Sequence, residues 1–169
     1  MKKIAVVLAA LLVAACSSTQ KTDTAQAPQA NTKADTTQTA SLSAAEVAAS
    51  KLAAEQQALQ QDSVYFDFNK YAVKPDYQNA IQKQADFIKE HKNDVVTLEG
   101  NADERGSEKY NLALGGKRAE AVMHSLLSLG VPAAQIKTVS YGKAKPRLQC
   151  HEEKCWKENR RVDFAHKLN

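Results

Sequence analysis

The chain has 169 residues with 23 basic and 19 acidic side chains, so its formal net charge is +4 at pH 7. Without Lys2 and Lys3 the charge falls to about +2, and so small an excess predicts neither a nucleic-acid partner nor an acidic surface as partner. From residue 63 onward the chain is long enough for one domain with its own core.

The first residues have the pattern of an export signal. Two lysines precede an uncharged run over residues 4–15, which as a helix of ~18 Å is too short to cross ~30 Å of hydrocarbon. This pattern predicts a signal peptide over residues 1–15. The sequence VAAC, which ends at Cys16, resembles the bacterial lipobox, whose cysteine becomes the acylated first residue of a mature lipoprotein. An ordinary cleaved signal peptide is the alternative.

The lipobox resemblance also implies a location. Several acyl chains on Cys16 would give a stable membrane anchor, where a single chain gives a marginal one. The residue after this cysteine is Ser17, and the absence of Asp at that position implies sorting to the outer membrane. The chain would then attach to the inner leaflet of the outer membrane, with its domain facing the periplasm.

Residues 16–62 are predicted to form a lipidated tether. Alanines and Leu42 are the only apolar side chains over residues 17–45, so this stretch buries too little surface to offset its ordering entropy. Within the tether, residues 44–61 are rich in helix formers, and Ser43 and Glu46 have capping-box spacing, so we expect a helix there. As a flexible coil the tether would span roughly 35–40 Å.

The globular part, residues 63–169, alternates strand and helix patterns. Residues 64–69 are an aromatic-rich strand candidate. Pro75 suits the first turn of a helix whose apolar stripe runs to about residue 90. Residues 95–100 have the pattern of a second strand.

A second helical stripe follows, with Arg118 placed about one turn after its start, and Gly130 ends it. Gly115 and Gly116 would each cost up to ~1 kcal/mol in a helix interior, so either the helix begins after them or another backbone approaches closely. Residues 136–142 and 160–166 are the third and fourth strands. The order β-α-β-α-β, a loop with a short helix, then β predicts an α+β fold, a two-layer α/β sandwich with a mixed sheet.

Charged residues cluster where the second strand ends. Asp103, Glu104 and Arg105 lie between two glycines, and ligands of alternating α/β folds collect where strands end and helices begin. We therefore expect Asn69, which closes the first strand, to converge with Asp103 and Arg118 on one rim. A carboxylate and a guanidinium there suit a zwitterionic ligand, because the acid accepts hydrogen bonds from an ammonium and the arginine pairs with a carboxylate. The alternative is a solvated turn with surface ion pairs.

Five segments carry a specific resemblance: VYFDFNKY, GNADERG, YNLALGGKRAEAV, VSYGKAKP and NRRV. In this order and spacing they resemble the OmpA-like peptidoglycan-binding domain, over residues 63–164. The resemblance implies that the ligand is the meso-diaminopimelate of the peptidoglycan stem peptide, whose distal carbon bears one ammonium and one carboxylate.

Lipid-anchored members of this family join the Tol system, so the resemblance also implies TolB and TolA as partners. The implied role is maintenance of envelope integrity and support of outer-membrane constriction during cell division. A wall-anchoring lipoprotein that acts outside the Tol system is the alternative.

The resemblance assigns ligand contacts residue by residue. Asp103 matches the aspartate that faces the polar end of the ligand, and Arg118 matches the arginine that clamps a carboxylate. Asn69 stands where many relatives have Asp, which keeps a hydrogen bond but removes a charge. Phe68 and Leu114 match positions that contact the methylenes of the ligand.

Four further residues match supporting positions of the family. Asn111 is interpreted as shaping the loop more than touching the ligand. Asn159, Arg160 and Arg161 match the family's NRR and are expected to order the rim.

With Cys16 lipidated, Cys150 and Cys155 remain as an even pair in an oxidising periplasm, and we predict a disulfide between them. A zinc site formed with His151 is the alternative, although it lacks an obvious fourth ligand. We predict no enzyme, no cofactor and no metal. Asp103 and Glu104 are neighbours whose side chains point apart, and the histidines fit no triad or metal spacing.

Overall fold

The structure is a computed structural model that describes residues 43–168. The predicted signal peptide, the lipidation site Cys16 and the first part of the tether lie outside the described residues. Within residues 43–168, no helix is both long enough and apolar enough to cross a membrane.

Helices and strands alternate through the described residues. In chain order they are α1 (Ala44–Gln61), β1 (Ser63–Tyr65), α2 (Gln78–Glu90), β2 (Asp94–Asn101), α3 (Glu108–Ser128), β3 (Ile136–Gly142), α4 (Glu153–Asn159) and β4 (Arg161–Leu168). Short 3₁₀ turns precede α2 and β3. The predicted α+β class and the mixed sheet are confirmed.

The strands form one sheet in the order β1-β4-β2-β3. The last strand, β4, is antiparallel to both β1 and β2, whereas β2 and β3 are parallel. Since β4 reverses direction relative to both neighbours, β1 and β2 run the same way and end at the same edge of the sheet. The segments that follow β1 and β2 therefore meet the segment that precedes β4, and this edge is where a ligand site is expected.

The core lies between the sheet and the helices α2 and α3. Leu98 and Phe164 face each other across β2 and β4, and both are buried with the apolar side chains of the two helices. Burial of each such side chain contributes ~1.5–3 kcal/mol. The apolar members of the core that are larger than alanine are Val64, Phe66, Ile81, Ile88, Val96, Leu98, Val122, Leu126, Val131, Ile136, Val162 and Phe164.

The first strand is shorter than predicted. It ends at Tyr65, which pairs with Arg161, the first residue of β4. Beyond this pair the neighbouring strand has ended. The backbone amide of Phe66 still donates to the carbonyl of Arg160 (2.9 Å), and the chain then turns away. The turn includes Asn69 in the left-handed region, with φ of 57°.

The position predicted for the start of the second long helix is wrong. This helix, α3, begins at Glu108 and is capped by Ser107, whose hydroxyl accepts the Tyr110 amide (3.2 Å). Arg118 therefore lies about three turns into the helix. The helix continues through both glycines. Position 115 requires glycine because a Cβ there would lie 2.8 Å from the carbonyl oxygen of Gly100 on β2.

Helix α1 occupies the residues predicted for a helix within the tether. Its capping box is complete, with the Ser43 amide donating to Glu46 (2.7 Å). Its C-terminal end packs on the domain, where Leu59 is buried and Gln56 and Gln60 donate to the carbonyl of His166 (3.1 and 3.3 Å). The end of α1 thus belongs to the domain rather than to a free tether.

A buried polar chain supports this attachment. The amide of Gln84 donates to the carbonyl of Leu59 (2.7 Å), and its oxygen faces Nε2 of His166 (2.6 Å). The other ring nitrogen of His166 contacts Asp94 (2.7 Å). Because these groups are buried, removing any one of them would leave another without a partner.

The two helical glycines make a matched pair for a stability test. We expect Gly115→Ala to lower the free energy of unfolding by ~1–3 kcal/mol, because its methyl group would collide with the backbone of Gly100. A Cβ at Gly116 meets no atom within 4 Å, so we expect Gly116→Ala to raise that free energy by up to ~1 kcal/mol. Urea unfolding of the full chain measures both, and equal effects would contradict the close approach.

Candidate functional site

A cavity of about 230 Å³ opens at the edge of the sheet where β1 and β2 end. Its lining comes from the loops after these strands and from one side of α3. The lining residues are Phe68, Asn69, Asp103, Arg105, Gly106, Tyr110, Asn111, Leu114 and Arg118. The structure thus brings together every residue that the resemblance assigned as a ligand contact.

Asp103 is an almost completely buried carboxylate, with 4% of its surface exposed. Its Oδ1 accepts the backbone amide (3.1 Å) and Nε (3.3 Å) of Arg105. Its Oδ2 accepts Nη2 of Arg105 (2.6 Å) and Nη1 of Arg160 (3.2 Å). Burial raises the pKa of Asp103, but these hydrogen bonds outweigh burial and hold the pKa below its usual value. The group is therefore ionised at neutral pH.

Arg118 is fully buried and binds backbone rather than a carboxylate. It donates to the carbonyls of Lys70 (2.9 Å), Asn101 (2.8 Å) and Asp67 (3.2 Å). Burial lowers the pKa of Arg118 to about 10, the charge of Arg160 adds to that effect, and Asp103 opposes it. The guanidinium is still charged at pH 7. Three of its five N–H groups make these bonds, and Arg118 is one of the residues that line the cavity.

Asn69 lies in the turn after β1 and faces α3. Its left-handed backbone is a conformation that asparagine tolerates better than most residues. The hydroxyl of Tyr110 donates to its Oδ1. Asn69 thus closes one side of the cavity with a neutral group, and Tyr110 is a lining residue that sequence reasoning missed.

Arg105 is the second residue that sequence reasoning missed. Its guanidinium carbon lies 4.0 Å from the ring centroid of Phe68 and 4.0 Å from that of Trp156. Trp156 is held in place because its indole N–H donates to Glu104 (2.8 Å). Sequence reasoning offered only surface ion pairs for Glu104 and Arg105. The position of Arg105, two residues after Asp103, was the feature of the sequence that could have predicted their hydrogen bonds.

The predicted supporting residues Asn111 and Asn159 hold loops. Asn111 donates to the carbonyl of Arg105 (2.9 Å), which fixes the loop after β2. Asn159 accepts the amides of Arg147 and Leu148 (2.7 and 3.0 Å) and donates to the Leu148 carbonyl (2.8 Å). Asn111 also lines the cavity, whereas Asn159 lies outside it.

Arg160 and Arg161 point to different places. Arg160 joins Asp103 to the carbonyl of Phe66 (3.0 Å) and to the carboxylate of Glu153, so it supports the cavity from behind. Arg161 pairs instead with Asp163 (2.8 Å). Arg161 therefore supports the sheet and is not brought to the cavity.

The structure contains the disulfide between Cys150 and Cys155, with the two Cα atoms 5.7 Å apart. Both thiols are consumed, so the zinc alternative that used them with His151 does not apply. Residues 43–168 also contain no other group of His, Cys, Asp and Glu suited to a metal ion. The bridge closes the loop before α4, the helix whose Trp156 packs on Arg105 and whose Glu153 accepts from Arg160.

A model of the OmpA family matches residues 65–160. The chain belongs to the OmpA family. The matched range includes all the residues that line the cavity.

Curated relatives share the same region. The chain is 46% identical over 101 residues to the peptidoglycan-associated lipoprotein of Agrobacterium fabrum, which covers 60% of this chain and 57% of that protein. It is 43% identical over 105 residues to the peptidoglycan-associated lipoprotein of Pasteurella multocida, and the match covers 62% of this chain and 70% of that protein. The match thus spans little more than half the length of the first of these relatives.

Solved structures agree with the fold. The crystal structure of the peptidoglycan-associated lipoprotein from Burkholderia pseudomallei aligns with a TM-score of 0.62 at 48% identity, over 63% of this chain and 91% of that one. The C-terminal domain of Helicobacter pylori MotB aligns with a TM-score of 0.60 at 24% identity, over 64% of this chain and 85% of that one. The second likeness concerns the fold alone.

The pairing of Asp103 predicts an acid-sensitive stability. Its folded-state pKa lies below the ordinary value of 3.8, so its contribution is present above that pH and is lost as pH falls through the folded value. We expect the free energy of unfolding to decrease below about pH 4, and to decrease less steeply in Asp103→Asn. Urea unfolding across this pH range measures the slope. The exposed Asp76→Asn is the control, and equal slopes in the two variants would contradict the assignment.

The disulfide predicts a second effect on stability. We expect the double change of Cys150 and Cys155 to serine to lower the free energy of unfolding by about 2 kcal/mol, since the closed loop is short. Denaturant unfolding of the oxidised full chain and of this variant measures the difference. Chemical reduction of the wild type should lower its stability by a similar amount, and no change on reduction would contradict a structural role.

Proposed function

We propose that this protein binds peptidoglycan non-covalently and that the cavity receives the distal end of meso-diaminopimelate in the stem peptide. One observation carries the proposal: an ionised carboxylate and a buried guanidinium without a carboxylate partner line the same cavity. The distal carbon of the ligand bears an ammonium and a carboxylate. The two charges of the cavity complement these two groups.

Each end of the ligand has a chemical match in the cavity. The ammonium would donate to Asp103, and the carboxylate would accept from the remaining N–H groups of Arg118. Leu114 and Phe68 would contact the methylenes between the ligand's two ends. The cavity of about 230 Å³ is smaller than the ~300–1,000 Å³ of sites that enclose drug-sized molecules, which favours recognition of a single residue's tip.

The proposed activity is binding without catalysis. The cavity-lining residues that the structure describes include no nucleophile next to a base. Opposite charges that are already ionised at neutral pH suit reversible capture of a zwitterion. This proposal agrees with the names of the relatives, which describe association with peptidoglycan.

At the level of the cell, we propose a link between the outer membrane and the wall. Lipid on Cys16 would hold one end in the inner leaflet, and the cavity would hold a stem peptide. Many such reversible contacts would act together, so single contacts exchange while the layers stay joined. The names of the relatives, which are lipoproteins, support the lipid anchor.

The family resemblance further suggests that TolB and TolA are partners and that the protein supports envelope constriction at division. A wall anchor outside the Tol system is the second candidate. Capture of purified TolB by the full chain would favour the first candidate, and absence of capture would favour the second.

The binding proposal is tested with a single change of charge. We expect Asp103→Asn to weaken binding of a diaminopimelate-containing stem peptide by about 10- to 100-fold, the loss typical of a hydrogen bond to a charged group. Calorimetric titration and sedimentation with purified peptidoglycan measure it.

The control for that test is Asp76→Asn, which makes the same chemical change on an exposed turn. It should bind as the wild type does. A stem peptide with lysine at the diaminopimelate position lacks the distal carboxylate and should bind more weakly than the natural ligand. Equal binding by Asp103→Asn and the wild type would overturn the assignment.

A further inference from the structure

In this structure Asp103 has no free place for a ligand. Each carboxylate oxygen accepts about two hydrogen bonds. Oδ1 already accepts two N–H groups of Arg105, and Oδ2 accepts one from Arg105 and one from Arg160. An ammonium can therefore reach Asp103 only if one of these donors leaves.

The side chain of Arg105 is the donor that can leave. It is 31% exposed, whereas that of Arg160 is 6% exposed and is also tied to the Phe66 carbonyl. The backbone amide of Arg105 is fixed by the loop. Movement of the Arg105 side chain would free one place on each oxygen of Asp103.

The surroundings of Arg105 provide a second place for its charge. Its Nη2 lies 3.8 Å from Oε2 of Glu153, whose side chain is 61% exposed. A small rotation would exchange the bidentate contact with Asp103 for a closer contact with Glu153. The guanidinium would have a carboxylate partner both beside Asp103 and beside Glu153, so the free-energy cost of moving it is limited.

We propose that Arg105 is a gate residue whose guanidinium occupies the place on Asp103 that the ligand's ammonium takes, and that the ligand binds by displacing it. This inference rests on the proposed function. It adds that the protein carries an internal competitor for its own site. The apparent affinity is then the intrinsic affinity reduced by the fraction of molecules in which Arg105 has moved away.

The gate also selects ligands by charge. A ligand tip without an ammonium offers Asp103 nothing to replace the guanidinium, so Arg105 stays in place. A tip with an ammonium replaces one cation by another and leaves Asp103 paired. The competition therefore favours tips that carry both charges over tips that carry a carboxylate alone.

The first test uses Arg105→Met, which keeps an unbranched side chain between the two rings and removes the charge and its donors. We expect the full chain with this change to bind the diaminopimelate stem peptide about tenfold more tightly than the wild type, by calorimetry. The control is Arg147→Met. Arg147 likewise pairs with a carboxylate, that of Asp163 (2.7 Å), but lies outside the cavity, so its loss should leave affinity unchanged.

The outcomes separate the two proposals. If the wild type binds and Arg105→Met binds equally or more weakly, Arg105 is not a competitor and the gate is wrong, while the proposed function stands. If the wild type and Arg105→Met both fail to bind the stem peptide, the proposed function is wrong, and the gate proposal that rests on it is wrong as well.

The second test observes the displacement directly. Trp156 is the single tryptophan of the chain, and its ring stacks on the Arg105 guanidinium. We expect its fluorescence to change on titration with the diaminopimelate peptide, and not with a peptide whose distal amine is replaced by hydrogen. Arg147→Met should retain the change and Arg105→Met should lose it. Calorimetric binding without any change in wild-type fluorescence would overturn the displacement.

Discussion

The buried guanidinium of Arg118 is the contact on which the site depends. It ties together carbonyls from the turn after β1 and from the end of β2, two segments that the sheet order brings to one edge. Without this cation the buried carbonyl of Asn101 and the partly buried carbonyls of Lys70 and Asp67 would lose these donors. The same side chain is therefore a brace for the cavity and, in the proposed function, the partner of the ligand's carboxylate.

Further charged groups surround the same cavity. Arg118, Asp103 and Arg105 all line it, and Asp103 accepts hydrogen bonds from Arg105 and Arg160. Buried charges are tolerated only when they are paired and hydrogen-bonded, and Asp103 meets this condition through its arginines. The cation of this group without a carboxylate partner is Arg118, and burial lowers its pKa to about 10. A ligand carboxylate would supply the missing negative charge.

The disulfide supports the edge of the sheet where the cavity lies, whereas α1 contacts the domain elsewhere. The bridge between Cys150 and Cys155 steadies α4, which places Trp156 against Arg105. Helix α1 instead contacts the domain near His166 at the end of β4, whereas the cavity lies near the start of that strand. The contacts that attach α1 to the domain therefore lie away from the cavity, and a force applied to the N-terminal segment would act on them first.

The sequence by itself determined the class of fold and the helix at residues 44–61, because periodicity and capping are local properties. The cysteine pair followed from the cysteine count in an oxidising compartment. The placing of Asp103 and Arg118 at one site followed from the ends of the predicted strands and from the family resemblance. Only the tertiary structure decided that Arg118 lies deep in α3 and that Arg105 covers Asp103. It also decided that Trp156, Phe68 and Arg105 stack. Those contacts join residues far apart in the chain, and burial and competition for hydrogen bonds arise only when the strands have brought the loops together.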